Sequence, residues 1–326
     1  MLKYLAAFLM LCGFTVIACA AEGPAATDPK DAGPDFKVQG EYVGKVTIDG
    51  KDSKVGCQVI ALGDSKFDAV YYVGGLPGDG WKRGDKQLRG TGKTEGSTTV
   101  IKGENGGNAK ISDGKMEITH SGGDSIGTLE KVERKSPTIG AKPPAGALVL
   151  FDGSGTDHFP GAKMTEDKLL KAGAMGKDEL RDFTLHLEFR LPFMPQARGQ
   201  GRGNSGMYLQ NRYEVQVLDS FGLEGENNEC GGIYTVAKPI VNMCYPPLSW
   251  QTYDVEMTGA RFEGDKKVKD AHVTIKHNGV VIHDGYDIPK LCPGGAPSEA
   301  PGKGPIALQD HGNPVVFRNI WAVEKK

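Results

Sequence analysis

The sequence predicts an all-β protein of two domains, and three observations carry that expectation. Glycine and proline are abundant, 47 and 19 among 326 residues, so tight turns must be frequent. Short runs alternate apolar and polar side chains, the period-two signature of strands with one buried face. Helical spacing is nearly absent: only MTEDKLLKAGAM (164–175) approaches it, and the glycines in and around it weaken even that segment. A formal net charge of −2 with both signs evenly spread excludes the concentrated basic surface of a nucleic-acid binder and favours a neutral or weakly charged ligand.

Residues 1–20 combine Lys3, an apolar run from Leu5 to Ile17 and then small residues, the layout of a secretory signal peptide. The run is shorter than the ~20 apolar residues that span a bilayer. The protein is therefore expected to be exported, to the periplasm, the outer membrane or the medium. Two processing routes fit: Ala18-Cys19-Ala20 matches an A-x-A cleavage site, and Val16 to Cys19 matches a lipoprotein box in which Cys19 becomes a lipid anchor. Residues 21–35, rich in Ala, Pro, Gly and Asp, have the composition of a flexible tether. Of the six cysteines, Cys57, Cys230, Cys244 and Cys292 lie beyond the signal. In an oxidising compartment Cys230 and Cys244 could staple the loop between them, worth roughly 3 kcal/mol in the chain-entropy model. Their spacing is not a zinc pattern.

Residues 36–134 contain a succession of alternating strands separated by Gly-, Asp- and Ser-rich turns. ISDGKMEI is a hairpin signal, because Asp113-Gly114 can adopt the positive φ angles of a two-residue turn. A small antiparallel meander or barrel follows. Trp81, Tyr71 and Tyr72 could form a sugar platform, although packing is the commoner use of aromatics in small β domains. KSPTIGAKPPAGA (135–147) lacks any period and holds three prolines, as a linker would.

Residues 148–326 form the second domain. In DFTLHLEFRLP, Phe183, Leu185, Leu187 and Phe189 fall on one face, and Thr184, His186, Glu188 and Arg190 on the other. GNSGMYLQNRYEVQVLDS (203–220) places Glu214 and Gln216 opposite Val215 and Val217. KHNGVVIHD turns at Asn278-Gly279, and ALQDHGN sets Gln309 and His311 opposite Asp310. Trp250 is expected in the core, and DGSG (152–155) is a turn, since no helix or Lys-Ser follows it. Two antiparallel sheets packed face to face accommodate all of these strands.

The ordered set LVLFDGSG, DFTLHLEFRLP, GNSGMYLQ, YEVQVLDS, CGGIY, VNMCYPPLSWQTYDVEM, HNGVVIHDG and GPIALQDHGNPVVFRNIWAVE closely resembles the 3-keto-disaccharide hydrolase family, from about Gly146 to the C-terminus. The resemblance implies a concanavalin A-like jelly roll and a saccharide partner. It implies an exported glycan-degrading enzyme acting on 3-keto-glycosides or 3-keto-disaccharides, by base-assisted elimination at C1–C2 or by hydrolysis. A non-catalytic carbohydrate-binding module of the same fold is the alternative. Residues 21–140 are not covered.

A ketone at C3 acidifies the C2 proton, so the chemistry needs a base, a donor or cation at the C3 oxygen, and an acid for the leaving oxygen. His311, Glu188 and Glu214 are the catalytic candidates. His311 is preferred because an imidazole titrates near neutrality. Arg190, Asn204, Tyr208, Gln216 and Gln309 are the substrate-binding candidates, an amide being able to donate and accept at once. Arg190 is also the expected ion-pair partner of Glu188, and Arg212 that of Glu214. No cofactor or metal ligand is assigned, because no metal-ligand spacing occurs. A divalent cation such as calcium would fall to Glu214, Asp219 and His311.

Overall fold

The computed structural model describes residues 24–325. The signal segment 1–20, with Cys19 and both processing routes, lies outside the described residues. Among the described residues no helix is long and apolar enough to cross a membrane.

The first half contains β1 (Gly40–Ile48), β2 (Lys51–Gly63), β3 (Lys66–Val73), β4 (Leu76–Pro77), β5 (Gly80–Trp81), β6 (Gln87–Glu95), β7 (Thr98–Gly103), β8 (Asn108–Ser112), β9 (Lys115–Thr119) and β10 (Ser125–Val132). Eight of them close into an antiparallel barrel in the order β1-β10-β9-β8-β7-β6-β3-β2. Asp113 and Gly114, at φ 47° and 76°, make the expected hairpin turn. Inward side chains such as Tyr42, Cys57, Phe67, Ile101, Met116 and Leu129 fill the barrel. Helix α1 (Gly33–Val38) closes one end, and the Tyr42 hydroxyl donates to the Val38 carbonyl at 2.7 Å.

The second half contains β11 (Leu148–Phe151), β12 (Leu170–Lys171), β13 (Ala174–Met175), β14 (Phe183–Arg190), β15 (Ser205–Leu209), β16 (Tyr213–Val217), β17 (Trp250–Thr258), β18 (Arg261–Glu263), β19 (Lys266–Lys269), β20 (Ala271–His277), β21 (Val280–Ile288), β22 (Ala307–Leu308) and β23 (Val316–Glu324). The larger sheet runs β11-β23-β14-β17-β20-β21, with β12 paired to β23; the smaller runs β13-β22-β15-β16. Phe183, Leu185, Leu187 and Phe189 from the larger sheet and Met207, Leu209, Val215 and Val217 from the smaller share one buried core. The segment with near-helical spacing forms two-residue strands and turns instead, with Gly173 at φ 86° between β12 and β13.

The two halves share apolar surface. Ile60, Val70, Tyr72, Leu76 and Trp81, on the outer wall of the barrel, belong to the same buried cluster as the sandwich core. Trp81 meets Tyr72 edge-on at 5.1 Å, so these two aromatics serve packing. Gly222 is required here: it has φ 78°, and a Cβ would lie 2.4 Å from Ile60 Cδ1.

The segment 135–147 is a strap pinned to the outer face of the larger sheet. Ser136 Oγ lies 2.6 Å from Thr252 Oγ1, and Thr138 Oγ1 donates to Asp254 at 2.7 Å. Gly140 N donates to Glu188 at 2.6 Å, and the Ala141 carbonyl accepts from Asn319 and from Trp321 Nε1. The expected flexible tether also differs: Ala26 and Phe193 exchange backbone hydrogen bonds of 3.0 and 2.9 Å, and Phe36 meets the Phe193 ring at 5.4 Å. Cys230 and Cys244 are buried free thiols. Cys230 Sγ lies 3.3 Å from Tyr253 Oη.

Candidate functional site

Strands β15 and β16 form a hairpin through Gln210 and Asn211, both at positive φ, in a register that sets Tyr208 opposite Glu214 and Gly206 opposite Gln216. The apolar residues of this hairpin face the core. Its other face carries Gly206, Tyr208, Glu214 and Gln216, with Gln309 following β22, the neighbour of β15. Glycine at 206 has a steric cause: a Cβ there would stand 2.2 Å from Glu214 Oε1. The missing side chain makes room for the carboxyl.

Glu214 is 2% exposed and sits beside the Tyr208 hydroxyl. Burial pushes its carboxyl up to about 7, against the opposing pull of the hydrogen bond with Tyr208. Tyr208 Oη lies 2.8 Å from Glu214 Oε2 and 2.6 Å from the Pro293 carbonyl oxygen. A phenol has one proton and the Pro293 carbonyl can only accept, so both contacts are fully satisfied when a protonated Glu214 donates to Tyr208. The raised carboxyl and the bond pattern therefore agree. Burial first, and then the charge of Glu214, push the Tyr208 phenol up, so it keeps its proton at neutral pH.

Amide groups extend this face. Gln309 Nε2 donates to Tyr208 Oη at 3.4 Å, and Gln216 Nε2 donates to Gln200 Oε1 at 3.2 Å. Asn204 Nδ2 donates to the Gln200 carbonyl at 2.7 Å, while its Oδ1 is buried with no hydrogen-bond partner among the described residues. An orphan acceptor next to a carboxyl and two further amides suits a ligand hydroxyl. His311 is exposed, two residues past Gln309 in the loop that follows β22. Cys292 to Ala296 runs along the hairpin turn through backbone bonds to Arg212 and Asn211, bringing Gly294 and Gly295 over Tyr208.

The structure thus brings together Asn204, Tyr208, Glu214, Gln216 and Gln309, with His311 at the end of the same sheet. It does not bring Glu188 and Arg190 to them, which corrects the expectation of one shared groove. Both lie on β14 in the larger sheet, on its outer face beneath the strap, with the core between them and Glu214. Glu188 accepts from Arg318 Nε at 2.7 Å and Asn319 Nδ2 at 2.8 Å. Burial opposes its charge, but the adjacent His186 imidazole and hydrogen bonds from Asn319, Gly140 N and Arg318 prevail and hold it at about 2. A carboxylate so held is a poor base at neutral pH. Its ion-pair partner is Arg318, not Arg190.

On the same outer face, Trp250 is not core: the guanidiniums of Arg318 and Arg190 stand 3.9 and 5.1 Å from its ring centre. His186 Nδ1 lies 2.6 Å from Asp254 Oδ1, and Nε2 lies 3.5 Å from Glu188 Oε1, an ionic contact that leaves Nε2 without a hydrogen-bond partner. Burial lowers the pKa of His186, but its carboxylate neighbours outweigh that and raise it overall.

Asp219 is engaged by Arg202 Nε at 2.7 Å, and among the described residues no group of three His, Cys, Asp or Glu could hold a metal ion. The proposed trio of Glu214, Asp219 and His311 is therefore not assembled. Arg212 binds carbonyl oxygens of Gly302 and Lys303 instead of Glu214. Sequence reasoning missed Gln200, which orients Asn204 and Gln216, and the carbonyl of Pro293. Gln200 sits in a glycine-rich loop with no period, and a carbonyl's direction has no signature in side-chain identity.

Fold and site together define a barrel joined to a two-sheet β-sandwich, with a buried carboxyl–phenol–amide row on the smaller sheet. The chain belongs to the family of the 3-keto-alpha-glucoside-1,2-lyase-like domain, whose profile matches residues 146–323, more than half of its length. Among solved structures it is similar to a putative glycosyl hydrolase from Parabacteroides distasonis ATCC 8503, determined at 2.13 Å, with 32% identity over 56% of this chain and 85% of the other, at a TM-score of 0.51. A second putative glycosyl hydrolase from the same organism, at 1.70 Å, shows 18% identity over 56% of this chain and 94% of the other, at a TM-score of 0.41. No curated protein matches the chain. The barrel lies outside the family match.

Proposed function

We propose that this protein cleaves the glycosidic bond of 3-keto-glycosides outside the cytoplasm, with Glu214 as the proton-transfer residue. The observation that carries the proposal is the Glu214 carboxyl, buried against Tyr208 and held near neutrality. A carboxyl at that value can take a proton from an acidified carbon and return it within one turnover. The family membership and the name of the similar structure at 32% identity, a putative glycosyl hydrolase, support a glycan substrate.

Ionised Glu214 removes the C2 proton, and the C2–H electrons form the enolate of the C3 ketone. The enolate then expels the C1 substituent, breaking the C1–O bond, and the leaving oxygen takes a proton. Tyr208, which stays protonated, donates a hydrogen bond to the developing oxyanion, and His311 at the rim protonates the departing oxygen. Asn204, Gln216 and Gln309 read the sugar hydroxyls. Water adding at C1, with a proton returned to C2, converts elimination into net hydrolysis. Access requires the Cys292–Ala296 segment to move off Tyr208.

Incubation with 3-keto-trehalose and with trehalose tests this reading. Turnover of the ketone alone is expected, with deuterium appearing at C2 of the released sugar in D2O. Glu214→Gln is expected to lower kcat by about 10²–10⁴-fold. Saccharide binding without cleavage of either compound would instead establish the carbohydrate-binding module.

A further inference from the structure

Helix α1 covers one end of the barrel, with a cavity of about 330 Å³ between it and the turns there. At the end away from α1, β1, β2, β3, β6, β9 and β10 surround a cavity of about 290 Å³. The β7–β8 connection, Gly103-Glu104-Asn105-Gly106-Gly107-Asn108, contributes Gly103, Asn105, Gly107 and Asn108 to its lining. Its wall is apolar: Val46, Val55, Tyr71, Val73, Ile118 and Ile126 line it. Several of these remain half-exposed although they point inward beside a filled core. Eight-stranded barrels have an interior that is either just filled by side chains or able to hold one small ligand; in this one the middle is filled and the mouth away from α1 leaves such a space.

Thr47, Asn105, Asn108, Thr119, His120 and Ser121 also border the cavity, and Tyr71 stands among the apolar side chains. Among the described residues the Tyr71 hydroxyl has no hydrogen-bond partner, whereas Tyr72, next in sequence and pointing outward, donates to Gln58 at 2.9 Å. Burial pushes the Tyr71 phenol well up, so it is a neutral group that can both donate and accept. Charges are confined to the rim, where Asp49 and Lys86 oppose each other in sign and Arg89 is paired with Glu224. That balance favours neither an anion nor a cation inside.

From this geometry we propose that the open end of the barrel is a binding site for a small, neutral, largely apolar molecule carrying one hydroxyl or carbonyl, its body against the valine and isoleucine wall and its polar group on Tyr71. Pockets of this kind fix orientation through a few polar groups set in apolar walls. The site is separate from the Glu214 row and does not depend on the reading given to that row.

Titration of the intact protein with 2-naphthol, followed by calorimetry and naphthol fluorescence, tests the proposal. Saturable binding of one molecule per chain is expected, equal in wild type and Glu214→Gln. Val73→Trp and Ile118→Trp fill the mouth from β3 and β9, on opposite walls, and each should weaken binding at least tenfold with unchanged circular dichroism. Tyr71→Phe keeps the shape and should weaken binding about fivefold. Intermolecular nuclear Overhauser contacts from the naphthol ring to the Val46 and Val55 methyls would place it directly. Absence of saturable binding, binding undiminished in both tryptophan variants, or contacts to the sandwich in place of the barrel would each overturn the site.

Discussion

Glu214 and Gly206 work as one unit, because the carboxyl occupies the volume a β-carbon would need. Gly206→Ala is expected to destabilise the protein by about 1–3 kcal/mol, the usual cost of overpacking, and to lower activity in parallel, read by urea melts and turnover. The titration of Glu214 gives a second expectation. As a base it must be ionised, so kcat/KM should rise as pH increases through about 7, and this limb should vanish in Glu214→Gln. Its linkage to stability has the opposite sign. A carboxyl raised from its ordinary 4.5 favours folding below that value, and the contribution is lost as pH climbs through 7.

Among the elements, the strap over the larger sheet separates two glutamates that look alike in sequence. Both DFTLHLEFR and YEVQV alternate, and alternation reveals which side chains share a strand face without revealing which sheet the strand joins. Glu188 and Glu214 were therefore legible as polar-face residues, but their placement on opposite sides of the sandwich was not. The hairpin turns at Asp113-Gly114 and Asn278-Gly279 were legible because their chemistry is local. Meander and barrel both stayed open in the sequence, since closure rests on pairing of β1 with β10, far apart in the chain.

Glu188→Gln should leave kcat/KM within about twofold and destabilise the fold by on the order of 3 kcal/mol, because Arg318 and His186 lose a buried counter-charge. Glu188, depressed to about 2, contributes stability that is present above its unfolded value near 4.5 and lost as pH falls toward 2. His186, raised, contributes below about 6.5 and loses that contribution as pH rises through its folded value. Urea melts from pH 3 to 9 should therefore show this contribution greatest near pH 5–6, and its acid limb should be lost in Glu188→Gln.

At the scale of the molecule, one apolar cluster spans the barrel wall and the sandwich, so calorimetry should show a single unfolding transition; two resolved transitions would show independent halves. A buried ion pair lies at the junction. Arg134 Nε and Nη2 reach the two Glu41 oxygens at 2.7 and 2.6 Å, Nη1 donates to the Pro77 carbonyl, and the guanidinium stands 4.9 Å from the Tyr245 ring centre. Glu41 is 1% exposed, so Arg134→Ala should cost about 3–5 kcal/mol by stranding its charge, seen as a lower midpoint of that one transition.

The pairing of Ala26 with Phe193 sets a limit on how far the folded body can stand from whatever holds the chain's beginning. Were Cys19 acylated, the seven steps to Ala26 would span at most about 25 Å fully extended. Such a short leash would keep the Phe193 corner close to the bilayer surface instead of letting the enzyme sweep the surrounding fluid. Lengthening it by inserting Gly-Ser repeats after residue 20 would change that stand-off without touching either half of the protein.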